Sequence, residues 1–119
     1  MLQLAQLVAP QLLTNTDAVY YTAPISTTST GSGNVTAKIT RAVFINTANS
    51  GITLTVGLVP SGGTLAAGNT LINALTIPAN QTYISPELAG MVIPAGSTLH
   101  ASAGTGADII IIVSGLTFQ

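Results

Sequence analysis

The feature that most limits the fold is a period-two alternation of apolar and polar residues in two neighbouring segments. Residues 35–45 and residues 52–58 each place an apolar side chain at every second position, with Arg41 and Phe44 as exceptions in the first segment. Such alternation is typical of a strand with one buried face. The residues between them, 46–51, have the Asn, Ser and Gly content of a turn. The pattern therefore predicts two strands that are antiparallel neighbours.

The rest of the chain contains shorter segments of strand character, and no segment has helical periodicity over ten residues. Including the first two, the pattern predicts about eight strands in a single domain, residues 1–119, with residues 1–13 as an arm or a first strand. The segments 8–13 and 18–22 are expected to form a hairpin. The remaining strands are predicted at 70–77, 81–85, 97–103 and 108–118.

A short repeat predicts two matching corners between strands. Ile-Pro-Ala-Asn at 77–80 is followed sixteen residues later by Ile-Pro-Ala-Gly at 93–96. In each copy Pro suits position i+1 of a turn, and Asn80 or Gly96 suits a backbone position with positive φ. About eight antiparallel strands with paired corners favour an all-β, single-domain β-sandwich of the jelly-roll type.

The predicted strand that contains residues 109–113 is apolar at five consecutive positions and therefore on both faces. Each sheet of a two-layer sandwich has only one buried face, and a β-branched run left open to water promotes aggregation. Either the domain covers both faces of this strand, or another subunit covers the outer one, and we favour the second. A loop at 60–69 also has an apolar crest at Leu65. The predicted assembly interface consists of Ile109, Ile110, Ile111, Ile112, Val113 and Leu65.

Charge is scarce, and this excludes whole classes of function. Charged residues make up 4% of the chain: Asp17, Glu87, Asp108, Lys38 and Arg41. General acid–base catalysis and metal sites need clustered titratable groups, and nucleic-acid binding needs several cations. We therefore expect no enzyme activity, no catalytic residue, no cofactor and no nucleic-acid partner. A chain with so little charge lacks the usual protection against association, so we expect a partner to cover part of its surface.

The sequence also lacks the motifs of a metal site, a catalytic triad, a membrane segment or a secretion signal. His100 is the only histidine, so a metal site would have to combine it with Glu87 or Asp108, and we expect no metal. No Gly-x-Ser-x-Gly motif supports a catalytic triad. The longest run of Ile, Leu and Val is five residues, whereas a spanning helix needs about 20, so no membrane segment is expected. Residues 1–10 carry no basic residue, so no secretion signal is expected either.

Several motifs resemble small virion accessory proteins of tailed bacteriophages. They are Thr-Asn-Thr-Asp-Ala-Val-Tyr-Tyr-Thr at 14–22, Val-Phe-Ile-Asn-Thr-Ala-Asn at 43–49, Leu-Val-Pro-Ser-Gly-Gly at 58–63 with Asn-Thr-Leu at 69–71, and the stretch from Gln-Thr-Tyr at 81–83 to Pro-Glu-Leu-Ala-Gly at 86–90. The resemblance covers roughly residues 14–118 and is a pattern of strands and turns without an active-site signature. It implies a β-sandwich that clamps neighbouring capsid subunits or builds tail and fibre attachments.

The sequence thus predicts a non-enzymatic virion structural protein, most readily a capsid decoration or cement protein. Its expected partners are the major capsid protein or another virion protein and further copies of itself. A trimer is suggested only by the resemblance, because cement proteins often occupy three-fold positions. The expected location is the virion, assembled in the host cytoplasm. Two alternatives remain open: a tail or head-fibre adaptor for host attachment, and a carbohydrate-binding β-sandwich.

Overall fold

The computed structural model describes residues 2–25, 34–106 and 108–118, which form nine strands and one short 3₁₀ helix at Ala67–Asn69. The strands are β1 Leu2–Leu12, β2 Ala18–Thr22, β3 Thr36–Asn46, β4 Ile52–Val59, β5 Thr70–Ile77, β6 Thr82–Ile84, β7 Val92–Ile93, β8 Thr98–Ala103 and β9 Ile109–Phe118.

The strands pair in a nested order, as in one long hairpin that has been rolled up. Strand β1 pairs with β9, β2 with β8, β3 with β6 and β7, and β4 with β5, all antiparallel. Rolling adds the pairs β9–β3 and β8–β4. Two sheets result: sheet A has the order β1-β9-β3-β6, with β7 also on β3, and sheet B has the order β2-β8-β4-β5. This arrangement is a jelly roll, and the predicted all-β sandwich is confirmed.

Two predicted strand pairs are wrong. Strands β3 and β4 lie in different sheets, and so do β1 and β2, so neither pair forms a hairpin. The short segment 47–51 carries the chain from one sheet to the other. Alternation identifies the buried face of a strand but does not say which strand lies beside it.

The core lies between the inner faces of the two sheets. The largest fully buried side chains include Phe44 and Ile39 from β3, Leu54 from β4, Leu99 from β8 and Ile111 from β9. Both repeat corners have the expected positive φ, 58° at Asn80 and 84° at Gly96. Each turn is closed by a backbone bond to the proline carbonyl, from Gln81 at 3.2 Å and from Ser97 at 2.9 Å, so proline occupies position i of each turn and not i+1.

A β-bulge in the middle of β3 changes which positions face the core. The register with β9 shifts between Ile39 and Arg41, which leaves Thr40 as an extra residue. Thr40 and Arg41 are both exposed, whereas Ile39 and Ala42 are buried. Odd-numbered residues therefore face inward before the bulge and even-numbered residues after it. This shift explains why Arg41 and Phe44 depart from simple alternation.

Candidate assembly surface

The outer surface of sheet A, called face A below, is rich in apolar side chains. Ile110 of β9 lies between its cross-strand partners Leu12 of β1 and Ile45 of β3. Cross-strand partners point to the same side of a sheet, so these three side chains form one apolar row. The register with β1, β3, β6 and β7 adds further apolar members of face A, which are Leu2, Leu4, Val43, Ile84, Val92, Ile112, Leu116 and Phe118.

Many of these side chains are open to solvent. Nine large apolar side chains are exposed in the described part of the chain, and six of them lie on face A: Leu2, Leu4, Leu12, Ile84, Val92 and Phe118. Leu4 is the most exposed, at 85%. An apolar area of this kind on a folded domain marks an interaction site or an aggregation liability.

The predicted interface strand is divided between the core and face A. Ile109, Ile111 and Val113 are fully buried between the sheets. Ile110 and Ile112 are half-buried on face A, in the central strand of sheet A. Within the predicted strand 109–113, Ile110 and Ile112 are therefore the residues that offer surface to a partner.

Leu65 lies apart from this cluster. It packs against Gly57 of β4, in sheet B, where a Cβ atom would collide with the Leu65 side chain. The loop that carries it is fixed by Asn69, whose Oδ1 accepts a bond from Ala66 N at 2.8 Å and whose Nδ2 donates to Thr64 O at 3.0 Å. Leu65 thus contacts its own domain at a site on the other sheet from Ile110 and Ile112.

The outer surface of sheet B, called face B below, is polar by comparison. The half-buried residues of β4 and β8 that point outward include Thr53, Thr55, Thr98, His100 and Ser102. The two outer surfaces of the sandwich therefore differ in chemistry, and face A is the one that gains more by being covered.

Both cations of the chain lie on face A. Lys38 is the cross-strand partner of Leu116 and Val92, and Arg41 is the partner of Ser114. Both side chains are exposed. Within residues 2–25, 34–106 and 108–118 neither side chain makes an ion pair or a hydrogen bond.

The three acids, in contrast, are each held by a neighbour. His100 Nδ1 donates to Asp17 Oδ2 at 2.7 Å, and Thr105 Oγ1 donates to Asp108 Oδ2 at 2.9 Å. Glu87 Oε1 accepts from Tyr83 OH at 2.5 Å and from Ser85 Oγ at 3.2 Å. None of these acids has an ion pair with Lys38 or Arg41.

The Tyr83–Glu87 hydrogen bond shifts both titrations. Desolvation, followed by the bond to Glu87 and its negative charge, raises the pKa of Tyr83 to about 12. The same bond from Tyr83 is the main reason that the pKa of Glu87 lies below its ordinary value, against an opposing contribution from burial. These are the shifts expected when a hydrogen bond favours the charged carboxylate and the neutral phenol.

His100 occupies an outward position on β8 beside buried Leu99. Its Nε2 lies 2.9 Å from Thr98 Oγ1, so both ring nitrogens have partners, and neither is Glu87 or Asp108. Among the residues that the structure describes, no three His, Cys, Asp or Glu side chains are grouped as a metal site would require. No helix in the described ranges has the length and hydropathy of a membrane span.

Two depressions lie near face A. An apolar one of about 180 Å³ opens between the sheets and is lined by Leu58, Val59, Pro60, Val92, Ile93, Pro94 and Ser97. The other, of about 330 Å³, lies on face A between β1 and β3 and is lined by Leu4, Ala5, Gln6, Thr40, Ser114 and Gly115. The second has amide and hydroxyl groups at its wall and adjoins the strand segment that carries Lys38 and Arg41.

Comparison with known proteins identifies the fold and no closer relationship. The sequence matches no protein-family model and no curated protein. Its fold is similar to that of a chain in the structure of infectious bursal disease virus, Gx strain, with a TM-score of 0.51 and 12% sequence identity. The match covers 98% of this chain and 32% of the viral chain. At this identity the likeness establishes a shared β-sandwich fold.

Proposed function

We propose that the protein is a non-enzymatic structural protein of a virion, and specifically a capsid decoration or cement protein. Face A carries this proposal, because it is an apolar sheet surface that nothing within the described chain covers. The similarity of the fold to a chain from a virus structure supports a virion role.

Such a protein acts by mass action on the assembled shell. It binds a surface that exists only where capsid subunits meet, so it stabilises the assembled state relative to dissociated subunits. Face A suits this role because its strands belong to one sheet, with Ile110 and Ile112 on the inner strand β9. Burial of apolar area there supplies the binding free energy, at about 25 cal/mol per Å² before the losses of association are counted.

The test is to locate the protein in purified particles that carry it, by electron microscopy and mass spectrometry. We expect density that bridges neighbouring capsid subunits, with face A toward the shell. Density on the tail or on a fibre would replace the cement role with the adaptor role. Absence from the particle would overturn the proposal altogether.

A pair of variants tests whether face A makes the contact. Ile112→Asp places a charge on the half-buried outer side of β9 and is expected to leave a folded protein that no longer binds particles. Thr55→Asp places the same charge on face B and is expected to bind as the wild type does. Circular dichroism verifies folding of both, and equal binding by both variants would contradict the role of face A.

A further inference from the structure

Lys38 and Arg41 are a pair of cations within a surface rich in apolar side chains, with the polar residues Gln6, Thr40 and Ser114 beside them. Leu116 and Val92 lie opposite Lys38, and the bulge at Thr40 turns Arg41 outward beside Ser114. Apolar side chains extend beyond the pair in both directions, toward Ile110 at one end of the sheet and Leu2 at the other. A partner that covers face A must therefore cover both charges as well.

The chemistry of the partner follows from the energetic cost of burying the charges of Lys38 and Arg41. A purely apolar partner would leave two cations buried without counter-charges, which costs several kcal/mol per ion. The acids of this chain do not supply the counter-charges, because Asp17, Glu87 and Asp108 are each hydrogen-bonded elsewhere. A second copy docked face to face about a two-fold axis would bring four cations together, since a two-fold contact repeats the same residues on both sides.

We infer that face A docks on a different protein chain whose surface is apolar and carries carboxylates that pair with Lys38 and Arg41. The inference rests on the proposed function for where that chain is found, and it adds the chemistry of the partner. Phosphates of a nucleic acid fit poorly, because two cations within an apolar surface neutralise too few of them.

The depression beside the cations provides a seat for an acidic side chain. It has a volume of about 330 Å³, and its lining includes the polar residues Gln6, Thr40 and Ser114 together with Leu4, Ala5 and Gly115. Thr40 Oγ1 already donates to Ser114 O at 3.1 Å, which leaves the Gln6 amide and the Ser114 hydroxyl for the partner. A carboxylate seated there would accept bonds from these groups and from Arg41, whose planar fork suits a carboxylate.

The size of face A is also adequate. Strands β1, β3 and β9 have ten or eleven residues each, and the short strands β6 and β7 lie beside β3. At about 4.8 Å between strands and about 3.3 Å per residue, they cover on the order of 600 Å². Specific protein–protein interfaces bury upward of about 600 Å² per partner, with about 800 Å² as the standard size, so face A reaches the lower end of this range. The apolar side chains at the two ends of face A would supply most of the affinity. Lys38 and Arg41, which lie between these ends, would fix the orientation of the partner and exclude partners without matching carboxylates.

The single lysine makes a direct test available. Lys38 is the only lysine in the chain, so a zero-length carbodiimide reagent can join only this side-chain amine to a carboxylate in contact with it. We expect treatment of purified particles to give an amide bond between Lys38 and an Asp or Glu of another chain, identified by tandem mass spectrometry. Lys38→Arg is the matched control: it retains the charge and the binding but loses the cross-link.

Each alternative result contradicts the inference. A cross-link from Lys38 to Asp17, Glu87 or Asp108 of a second copy would make face A a contact between copies. A Lys38 amine that stays open to acetylation in the particle would show that face A is uncovered there, while leaving a virion role intact.

A second experiment uses the isolated protein and does not depend on the virion proposal. The probe is a chromatographic surface that carries both phenyl and carboxylate groups, compared with surfaces that carry either group alone. Wild type is expected to be retained longest on the mixed surface. The double variant Lys38→Ala with Arg41→Ala is expected to bind the mixed surface about ten-fold or more weakly than wild type, which is the effect of losing a hydrogen bond to a charged group.

Thr53→Glu with Thr55→Glu is the control for net charge, since it makes the same change of two charges on face B. It is expected to keep the retention of the wild type on the mixed surface. Equal losses in the two double variants would overturn the inference, because retention would then follow net charge and not face A. Absence of the protein from particles would overturn only the proposed function.

Discussion

At the scale of the residue, Asn46 illustrates how a buried polar side chain fixes the path of the chain. It is 1% exposed, and its Nδ2 donates to Ser50 O and to Ile77 O, both at 2.9 Å. Its Oδ1 accepts from Ala48 N at 2.9 Å. The amide thus ties the end of β3 to the crossing into sheet B and to the corner after β5. Asn46 belongs to the motif at 43–49, so this residue of the motif has a structural role.

Replacement of Asn46 is therefore expected to destabilise the fold by a known mechanism. Asn46→Ala removes the partners of buried carbonyls and is expected to lower the free energy of unfolding by about 1–3 kcal/mol. Asn46→Asp is expected to be worse, because an ionised carboxylate cannot donate and would face those carbonyl oxygens. Urea denaturation measures both, with exposed Asn49→Ala as a control within about 0.5 kcal/mol of wild type. Equal stability of all three variants would contradict this role.

The Tyr83–Glu87 hydrogen bond predicts a pH dependence of stability at both extremes. The pKa of Glu87 is lowered by folding, so its stabilising effect is complete above its ordinary pKa and is lost as the pH falls through the lower folded value. The pKa of Tyr83 is raised from 10.0 to about 12, so its effect is complete below 10 and is lost between 10 and 12.

Tyr83→Phe removes this hydrogen bond and is expected to flatten both ends of the profile. Melting temperatures of wild type and variant, measured from acid to alkaline pH, should differ most near neutrality and converge at both extremes. A constant difference across the whole range would show that the two titrations are not coupled to folding.

At the scale of the element, the sequence predicts where strands lie better than which way they face. Strands β3, β4, β5 and β9 lie close to their predicted bounds, because period-two alternation is a local property. The bulge at Thr40 is visible in the sequence only through the two exceptions to alternation, Arg41 and Phe44, and it sends Val43 and Ile45 to face A. The strand β7 was not predicted, since its two residues, Val92–Ile93, are too few to alternate.

The bulge predicts an unusual tolerance to deletion within a strand. Removal of Thr40 leaves Ile39 facing inward and Arg41 outward in regular alternation, so the fold should survive. The loss of its bond to Ser114 O, about 1 kcal/mol, should lower the melting temperature by no more than about 8 °C.

Removal of Val43 is the comparison. To keep Phe44 and Asn46 in the core, the shortened strand must either turn Arg41 inward or lose its register with β9. That variant is expected to be unfolded or insoluble. Thermal unfolding followed by circular dichroism separates the two cases, and similar behaviour of both deletions would contradict the account of the bulge.

At the scale of the whole molecule, the nested pairing explains why the candidate surface could be predicted only in part. The apolar run at 109–113 predicts a strand that is apolar on both faces. In the structure Ile110 and Ile112 lie on the outer surface, as this pattern predicts. Their neighbours Leu12, Val43 and Ile45 come from distant parts of the chain and meet them only through the register of β1 and β3 with β9. In the sequence, Leu65 is as apolar as Ile110 and Ile112 and is predicted to belong to the same interface. In the structure its side chain packs against Gly57 of its own domain.

Face A also predicts how the isolated protein responds to salt. Without its partner the apolar area favours self-association, while Lys38 and Arg41 of apposed copies repel each other. Salt near 1 M reduces the Debye length to about 3 Å and, if excluded from the surface, strengthens apolar burial. We therefore expect wild type to exceed its monomer mass of 11.9 kDa in light scattering at micromolar concentration, and to associate further as salt rises.

Two variants separate the contributions of charge and of apolar area to this response. Lys38→Ala with Arg41→Ala removes the repulsion, so association should already be strong at low salt and change little as salt is added. Ile112→Asp removes apolar area and adds charge to face A, so it should shift the protein toward monomer at every salt concentration. Dissociation of the wild type at high salt would contradict this account, because it would show that attraction between charges, and not apolar burial, holds the copies together.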